Sequence, residues 1–234
     1  MLRTLTRSAW LALVVLGIAA PASAQVVHSL QLGIGGFMPR GEDSRVENDV
    51  LLKNQDALVF KVKDLSKVDV RGEWNISFGH HVETGVGLGY YRGSVPTNYR
   101  DFTHPNGSEI EQELTLRIIP ISAVVRFMPF GKIGTFQPYV GAGVSFLWWR
   151  YTENGEFVEA NFDTFRGRFT DTGNAVGPVL LGGAKIPVGG DIYGITLEAR
   201  YQYGQGTLDP SLTFAGKKID LGGLSAQVGF LIRF

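Results

Sequence analysis

The sequence contains no cysteine. That excludes disulfide frameworks, thiolate metal sites and cysteine nucleophiles together, and leaves the compartment open. An excess of one charge is missing too: 22 basic residues face 22 acidic ones, and charged residues make up only 19% of the chain. Neither a nucleic-acid-binding surface nor a solvated disordered tail is indicated. Beyond residue 25 there is no long apolar run. The richest, IIPISAVV at Ile118 to Val125, contains Pro120 and falls far short of the roughly 20 residues that a spanning helix needs, which excludes a helical membrane protein.

The N-terminus bears on the compartment. Arg3 and Arg7 precede an apolar run from Ala9 to Ala20, and Ala22-Ser23-Ala24 places small residues before Gln25. This order of features is that of a cleaved secretory signal. Residues 1–24 are therefore expected to be a signal peptide and 25–234 a single domain. Removing the signal takes away two arginines and no acid, leaving a mature chain close to neutral and slightly acidic.

Alternation with a period of two runs through the rest. Tyr193, Ile195, Leu197, Ala199, Tyr201 and Tyr203 alternate with Gly194, Thr196, Glu198, Arg200 and Gln202. Successive side chains of a strand point to opposite faces, so one face is apolar and the other polar; a helix would mix the two sets. Leu224, Ala226, Val228, Phe230, Ile232 and Phe234 likewise oppose Gly223, Ser225, Gln227, Gly229, Leu231 and Arg233. The same holds for Val68 to Phe78, Val82 to Tyr91, Leu30 to Ile34 and Tyr139 to Trp148. In Glu113 to Phe127 the polar parity changes, from Glu113, Thr115 and Arg117 to Ser122 and Arg126. Pro120 lies at the change, and a β-bulge is expected there because proline cannot donate to a ladder.

About eight strands result, of the roughly 9 to 11 residues that cross a bilayer when tilted. The connections alternate in length. Gly79 to His81, Pro129 to Thr135 and Pro187 to Asp191 are short; Arg40 to Lys67, Arg92 to Ile110, Tyr151 to Val176 and Gly204 to Ile219 are long. The pattern predicts an all-β fold, an eight-stranded antiparallel up-and-down transmembrane β-barrel with both termini at the short-turn end.

The chemistry of the two faces says which meets lipid. An eight-stranded barrel has an interior just wide enough for side chains. Were the aromatic face turned inward, Trp74, Phe78, Phe146, Trp148, Tyr193, Tyr201, Tyr203, Phe230 and Phe234 would all have to fit there. Facing lipid they need no such space. Phe37, Tyr90, Trp148 and Tyr203 are then expected to form a girdle toward the long loops, and Phe78, Phe127, Tyr193 and Phe234 one toward the short turns. The opposite face places Arg71, Glu73, Glu83, Arg117, Lys185, Glu198 and Arg200 in the lumen as a paired polar network. Glycines 85, 87, 89, 141 and 143 leave them room. Arg150 is the outward charge inside a strand, at a loop end where its cost is small.

The chain resembles the small bacterial outer-membrane β-barrels of the OmpA, OmpX and OmpW kind, over its length from about Gln25 to Phe234. QPYVGAGVSF (Gln137 to Phe146) is similar to a QPY-x-G-x-G strand of that group, and Gln227, Gly229, Ile232 and Phe234 resemble its C-terminal barrel-assembly signal. The resemblance implies a bacterial outer-membrane location with periplasmic termini, contact with outer-membrane lipid and lipopolysaccharide, and recognition by the barrel-assembly machinery. A monomer without nucleic-acid partners is expected.

Signals for chemistry are weak. GVGLG (Gly85 to Gly89) and GIGG (Gly33 to Gly36) lie within strands, not between a strand and a helix, so they do not meet the condition for a phosphate loop. His80-His81 point to opposite faces and make a poor chelate. His81 and Glu83 share a face near Ser77, the one arrangement suggestive of a lipid A-modifying enzyme, but Glu83 is better explained as a partner of interior arginine. No catalytic, cofactor-binding or metal residues are assigned. The expected role is structural or one of surface interaction, with a narrow pore for small or hydrophobic molecules as the alternative and the enzyme as a distant one.

Overall fold

The computed structural model describes residues 26–159, 161–188, 190 and 192–234. The expected signal peptide at 1–24 lies outside the described residues. Ten strands follow in chain order: β1 (Val26–Pro39), β2 (Lys67–Phe78), β3 (Val82–Thr103), β4 (Glu109–Phe127), β5 (Gln137–Val158), β6 (Thr164–Val188), β7 (Tyr193–Gln202), β8 (Gln205–Thr207), β9 (Lys218–Asp220) and β10 (Gly223–Arg233). Eight close a barrel in the order β1-β10-β7-β6-β5-β4-β3-β2, each antiparallel to its neighbours, while β8 and β9 form a separate small pair. Up to Tyr91 on β3 and Val179 on β6, closure pairs every strand edge, which removes the unpaired backbone groups that an open sheet would leave in an apolar surrounding.

The alternation decides which face is which. Along β7 the burial alternates residue by residue, with Thr196, Glu198, Arg200 and Gln202 inside and Ile195, Leu197 and Tyr201 outside. The β2–β3 connection turns within Gly79 to His81, and Gly79 supplies the positive φ (64°) that so tight a reversal needs.

The strands are not of one length. β1, β2, β7 and β10 have 14, 12, 10 and 11 residues, but β3 to β6 have 22, 19, 22 and 25. Much of the expected loops 92–110 and 151–176 is therefore strand, and these four strands stand above the rest as a wall. The wall's tips are short turns between Thr103 and Glu109 and between Val158 and Thr164.

The expected bulge at Pro120 is not there. β4 pairs with β5 without interruption from Gln112↔Gly155 to Phe127↔Val140. Against β3 the ladder lacks the pairs of Gly89 and Tyr90, then resumes in the same register from Tyr91↔Ile118 to Asn98↔Glu111. The proline's missing N–H interrupts the ladder but leaves the alternation intact. What changes at this level is the surroundings. Below it β4 presents Ile121, Val125 and Phe127 outward and Ser122 and Arg126 inward; above it Glu109, Glu111, Glu113 and Arg117 point outward and Leu114, Leu116 and Ile118 inward. Polarity inverts across a strand whose backbone does not.

The apolar inner face of the wall is covered by the two remaining long connections. Between β1 and β2 the chain forms a 3-10 turn (Glu42–Ser44), the short helix α1 (Val50–Asn54) and a second 3-10 turn (Val62–Leu65). Val50, Leu51, Leu58, Val62 and Leu65 of this segment pack with Tyr91, Leu114, Leu116, Leu147, Trp149 and Tyr151 of the wall and with Leu208, Ile219 and Leu221 from the β7–β10 connection. This is a dry core of the kind found in soluble domains, seated over the barrel mouth as a plug. Phe37, placed by the sequence in an outward girdle, belongs to it: the ring is 3% exposed and meets Tyr91 edge-on at 4.6 Å.

Candidate functional site

Below the plug, β2, β3, β4, β6 and β7 converge charged side chains on the lumen. Asp69, Arg71, Glu73, Glu83, Arg126, Lys185, Glu198 and Arg200 are all buried, four cations against four carboxylates. Arg126, fully enclosed, is the hub. Its guanidinium pairs with Glu73, with Glu198 at 2.9 Å and with Glu83 at 3.6 Å, and donates to Asn75 Oδ1 at 2.7 Å. Arg200 bridges Glu73 and Glu198, both at 2.8 Å, and donates to Ser122 Oγ at 3.1 Å. Lys185 pairs with Glu83, whose other oxygen accepts from Ser77 at 3.0 Å. The Tyr139 hydroxyl donates to Glu198 at 2.9 Å, and the Arg126 guanidinium lies 5.3 Å from the centre of the Tyr139 ring. Glycine makes this possible: a Cβ at Gly85 would stand 2.9 Å from both Arg126 Nη1 and Glu73 Oε1.

Such a network carries a large desolvation cost, offset only while every member keeps its partners. Between it and the plug lies a cavity of about 10 Å³ bordered by Arg71, Tyr91, Pro120 and Gln202, barely space for one water.

The plug has a polar lock of its own. Arg45 holds Asp49 by two hydrogen bonds, at 2.9 and 3.0 Å, and donates to the Asp220 carbonyl at 3.0 Å. Asp49 in turn caps α1, accepting from the Leu51 and Leu52 N–H groups, and accepts from the Asp220 N–H at 2.6 Å. Burial raises the Asp220 carboxyl above its ordinary range despite Arg45 and Arg40 beside it, whereas backbone N–H donors lower that of Glu42, where Val62 donates at 3.0 Å.

Around the lower barrel Val86, Val140 and Leu180, on three different strands, are 60%, 61% and 59% exposed, and Leu32, Ile34, Val68, Trp74, Val125, Ile195 and Val228 continue the band. Soluble monomers do not expose an apolar belt that encircles them. The architecture is that of the small outer-membrane β-barrels.

No protein-family model and no curated protein matches the sequence. Solved structures match in fold. Neisserial surface protein A matches with a TM-score of 0.49 at 11% identity, over 90% of this chain and 99% of that one. A major outer membrane protein from Thermus thermophilus gives 0.49 at 11% identity over 90% and 100%. The N-terminal β-barrel domain of Pseudomonas aeruginosa OprF gives 0.41 at 13% identity over 90% and 98%. Each is a likeness in fold.

Of the residues assigned to the lumen, Arg71, Glu73, Glu83, Lys185, Glu198 and Arg200 lie inside the barrel, and Arg117 does not. It sits on the outer surface of β4, because no bulge shifts its parity. Arg126 takes the central place that the assigned set left empty. Its signal was the alternation Arg126, Val124, Ser122, read back from Phe127. Tyr90, Trp148 and Tyr203 lie outward at the upper edge of the belt, and Phe78, Phe127, Tyr193 and Phe234 at its lower edge. His28 lies against Trp74 at 5.7 Å and Phe234 at 6.2 Å, while its neighbour Ser29 is buried. His81 is exposed at the β2–β3 turn, its ring 6.3 Å from Phe127, while Glu83 and Ser77 point inward and bond each other. The arrangement does not bring the histidine to the pair.

Proposed function

We propose that this chain is an integral protein of a bacterial outer membrane, closed to passive flow, whose role is structural or one of surface interaction carried by the plugged end. The observation that carries the reading is the apolar belt, which stops at one level of the barrel where the outer face becomes charged. A hydrocarbon layer has that boundary; water on all sides does not. The short-turn end is assigned to the periplasm and the wall to the outside. A pore is the second reading, favoured by charges lining the lumen. The paired lumen and the folded plug above it support closure. A lipid A-modifying activity is the least supported, since Glu83 is engaged by Ser77, Lys185, Arg126 and Lys132.

The test is made on the purified chain refolded into vesicles and then fused to a planar bilayer. Unboiled protein is expected to migrate apart from its boiled form on a gel and to show no steady conductance. A steady conductance that changes on Glu198→Lys would establish the pore; identical migration boiled and unboiled would reject the barrel in the membrane.

The proposed assembly signal has a geometric consequence. In the closed barrel Ile232 and Phe234 point outward, while Gln227 and Gly229 point inward. No single surface of the folded protein presents all four residues, so we propose that the assembly machinery reads β10 as a free strand before closure. Phe234 also bonds back to His28, through N–H and carbonyl at 2.9 and 3.2 Å, and Ala at that position keeps both contacts. Phe234→Ala is expected to lower the amount in the membrane several-fold while leaving the urea midpoint of the inserted fraction unchanged. Normal membrane levels would sink the idea.

A further inference from the structure

Directly above the apolar belt, three adjacent strands place arginines opposite one another. Arg92 on β3 pairs with Arg117 on β4, and Arg117 pairs with Arg150 on β5. All three side chains point outward. Adjacent strands lie about 4.8 Å apart, so three guanidinium groups share about 10 Å of surface. Like charges directly opposite in a sheet repel. Yet among the described residues no hydrogen bond or ion pair to a carboxylate is made by any of the three. Arg168 of β6 joins them around a shallow groove of about 280 Å³, where Glu113 is the one acidic residue. Two residues below the row, Tyr90 and Trp148 mark the top of the belt.

We propose that this row binds the phosphate groups of an anionic lipid headgroup in the leaflet at the plugged end. The inference rests on the membrane reading above. Its own content is that a repulsive row, kept in register across three strands and level with the headgroups, is completed by a phosphate from outside the chain. Guanidinium forks match phosphate oxygens in pairs. Neighbouring arginines on separate strands suit a headgroup carrying more than one phosphate on a compact sugar, as lipid A does. The belt beneath takes the acyl chains of the same molecule, so one lipid contacts Trp148 and Arg150 together.

The experiment uses the full mature chain, wild type and the double variant Arg117→Gln/Arg150→Gln, refolded into phosphatidylcholine vesicles. Both side chains are at the surface without internal partners, so the variant is expected to insert and to keep the heat-dependent gel shift. Affinity is measured for fluorescent diphosphorylated lipid A, with its dephosphorylated form and inorganic phosphate as competitors. Loss of two charge-assisted contacts is expected to weaken lipid A binding by about 100-fold. The dephosphorylated lipid is expected not to compete, and inorganic phosphate to compete only weakly. Unchanged affinity in the double variant overturns the site. Equal competition by dephosphorylated lipid shows that acyl contact alone drives binding, and equal competition by inorganic phosphate makes it a site for the free anion; either result overturns the proposal. Failure of the wild type to insert at all rejects the membrane reading and takes this one with it, whereas insertion without phosphate preference rejects the site alone.

Discussion

Arg126→Ala is expected to prevent a stable barrel from forming. The side chain is fully enclosed and faces three carboxylates, Glu73, Glu83 and Glu198. Removing it leaves the remaining lumen cations, Arg71, Lys185 and Arg200, against four buried acids. Breaking a buried ion pair from one side costs about 3–5 kcal/mol, because the orphaned charge stays desolvated. Here one deletion orphans parts of several pairs, and the total stability of a domain this size is about 5–15 kcal/mol. The measurement is the folded fraction after refolding into vesicles, followed by a urea titration of whatever inserts. Two companions make the result specific. Arg126→Lys keeps the charge but loses the fork that reaches Asn75 and Glu198 at once, and is expected to give an intermediate loss. Arg126→Ala combined with Glu73→Gln and Glu198→Gln neutralises the orphaned acids and is expected to recover part of the stability. A single variant that refolds like wild type would mean that the network carries little of the barrel's stability.

The second large effect is expected at Asp49. Asp49→Ala removes the cap of α1, leaves Arg45 buried without its carboxylate and frees the Asp220 N–H. The combined cost is about 3–5 kcal/mol. It falls on the plug, whose core is shared with the wall strands but which contributes no strand to the closed barrel. Segment 40–66 should therefore become sensitive to added protease, with the barrel still showing its heat-dependent gel shift. Asp49→Asn keeps the cap and loses the charge, and should fall between. The conductance of the Asp49→Ala protein is expected to stay at baseline, since the ion network lies beneath the plug. Protection from protease equal to wild type would show that this lock is redundant.

Much of the barrel was legible in the residues. The two faces of β7 and β10 read correctly along their length, because each strand lies within the belt and each face meets one surrounding throughout. Where a strand crosses from one surrounding to another, the same reading fails. In β4 the polar set changes parity at Pro120, and a period of two cannot tell a backbone slip from a change of solvent. The ladder settles it: register to β5 is unbroken, so Arg117 lies outside and Arg126 inside. Phe37 fails similarly. An aromatic at a strand end is favoured both at a membrane interface and in a dry core, and only the position of the segment 40–66 over the mouth makes it the latter. That segment carries two apolar stretches, VLL at Val50 to Leu52 and ALVFKV at Ala57 to Val62, but what they pack against is formed largely by strands far away in sequence. The arginine row was in plain view as separate residues, and nothing in the order of the chain makes Arg92, Arg117 and Arg150 neighbours.

Strand periodicity, the even count, the apolar outer face and the polar lumen follow from the order of residues alone, since each depends on neighbours one or two residues apart. The length of the wall, the plug, the hub role of Arg126 and the outward place of Arg117 emerge only once the strands are assembled. Those depend on inter-strand register and on which surrounding each level of the barrel meets, and a local pattern carries neither.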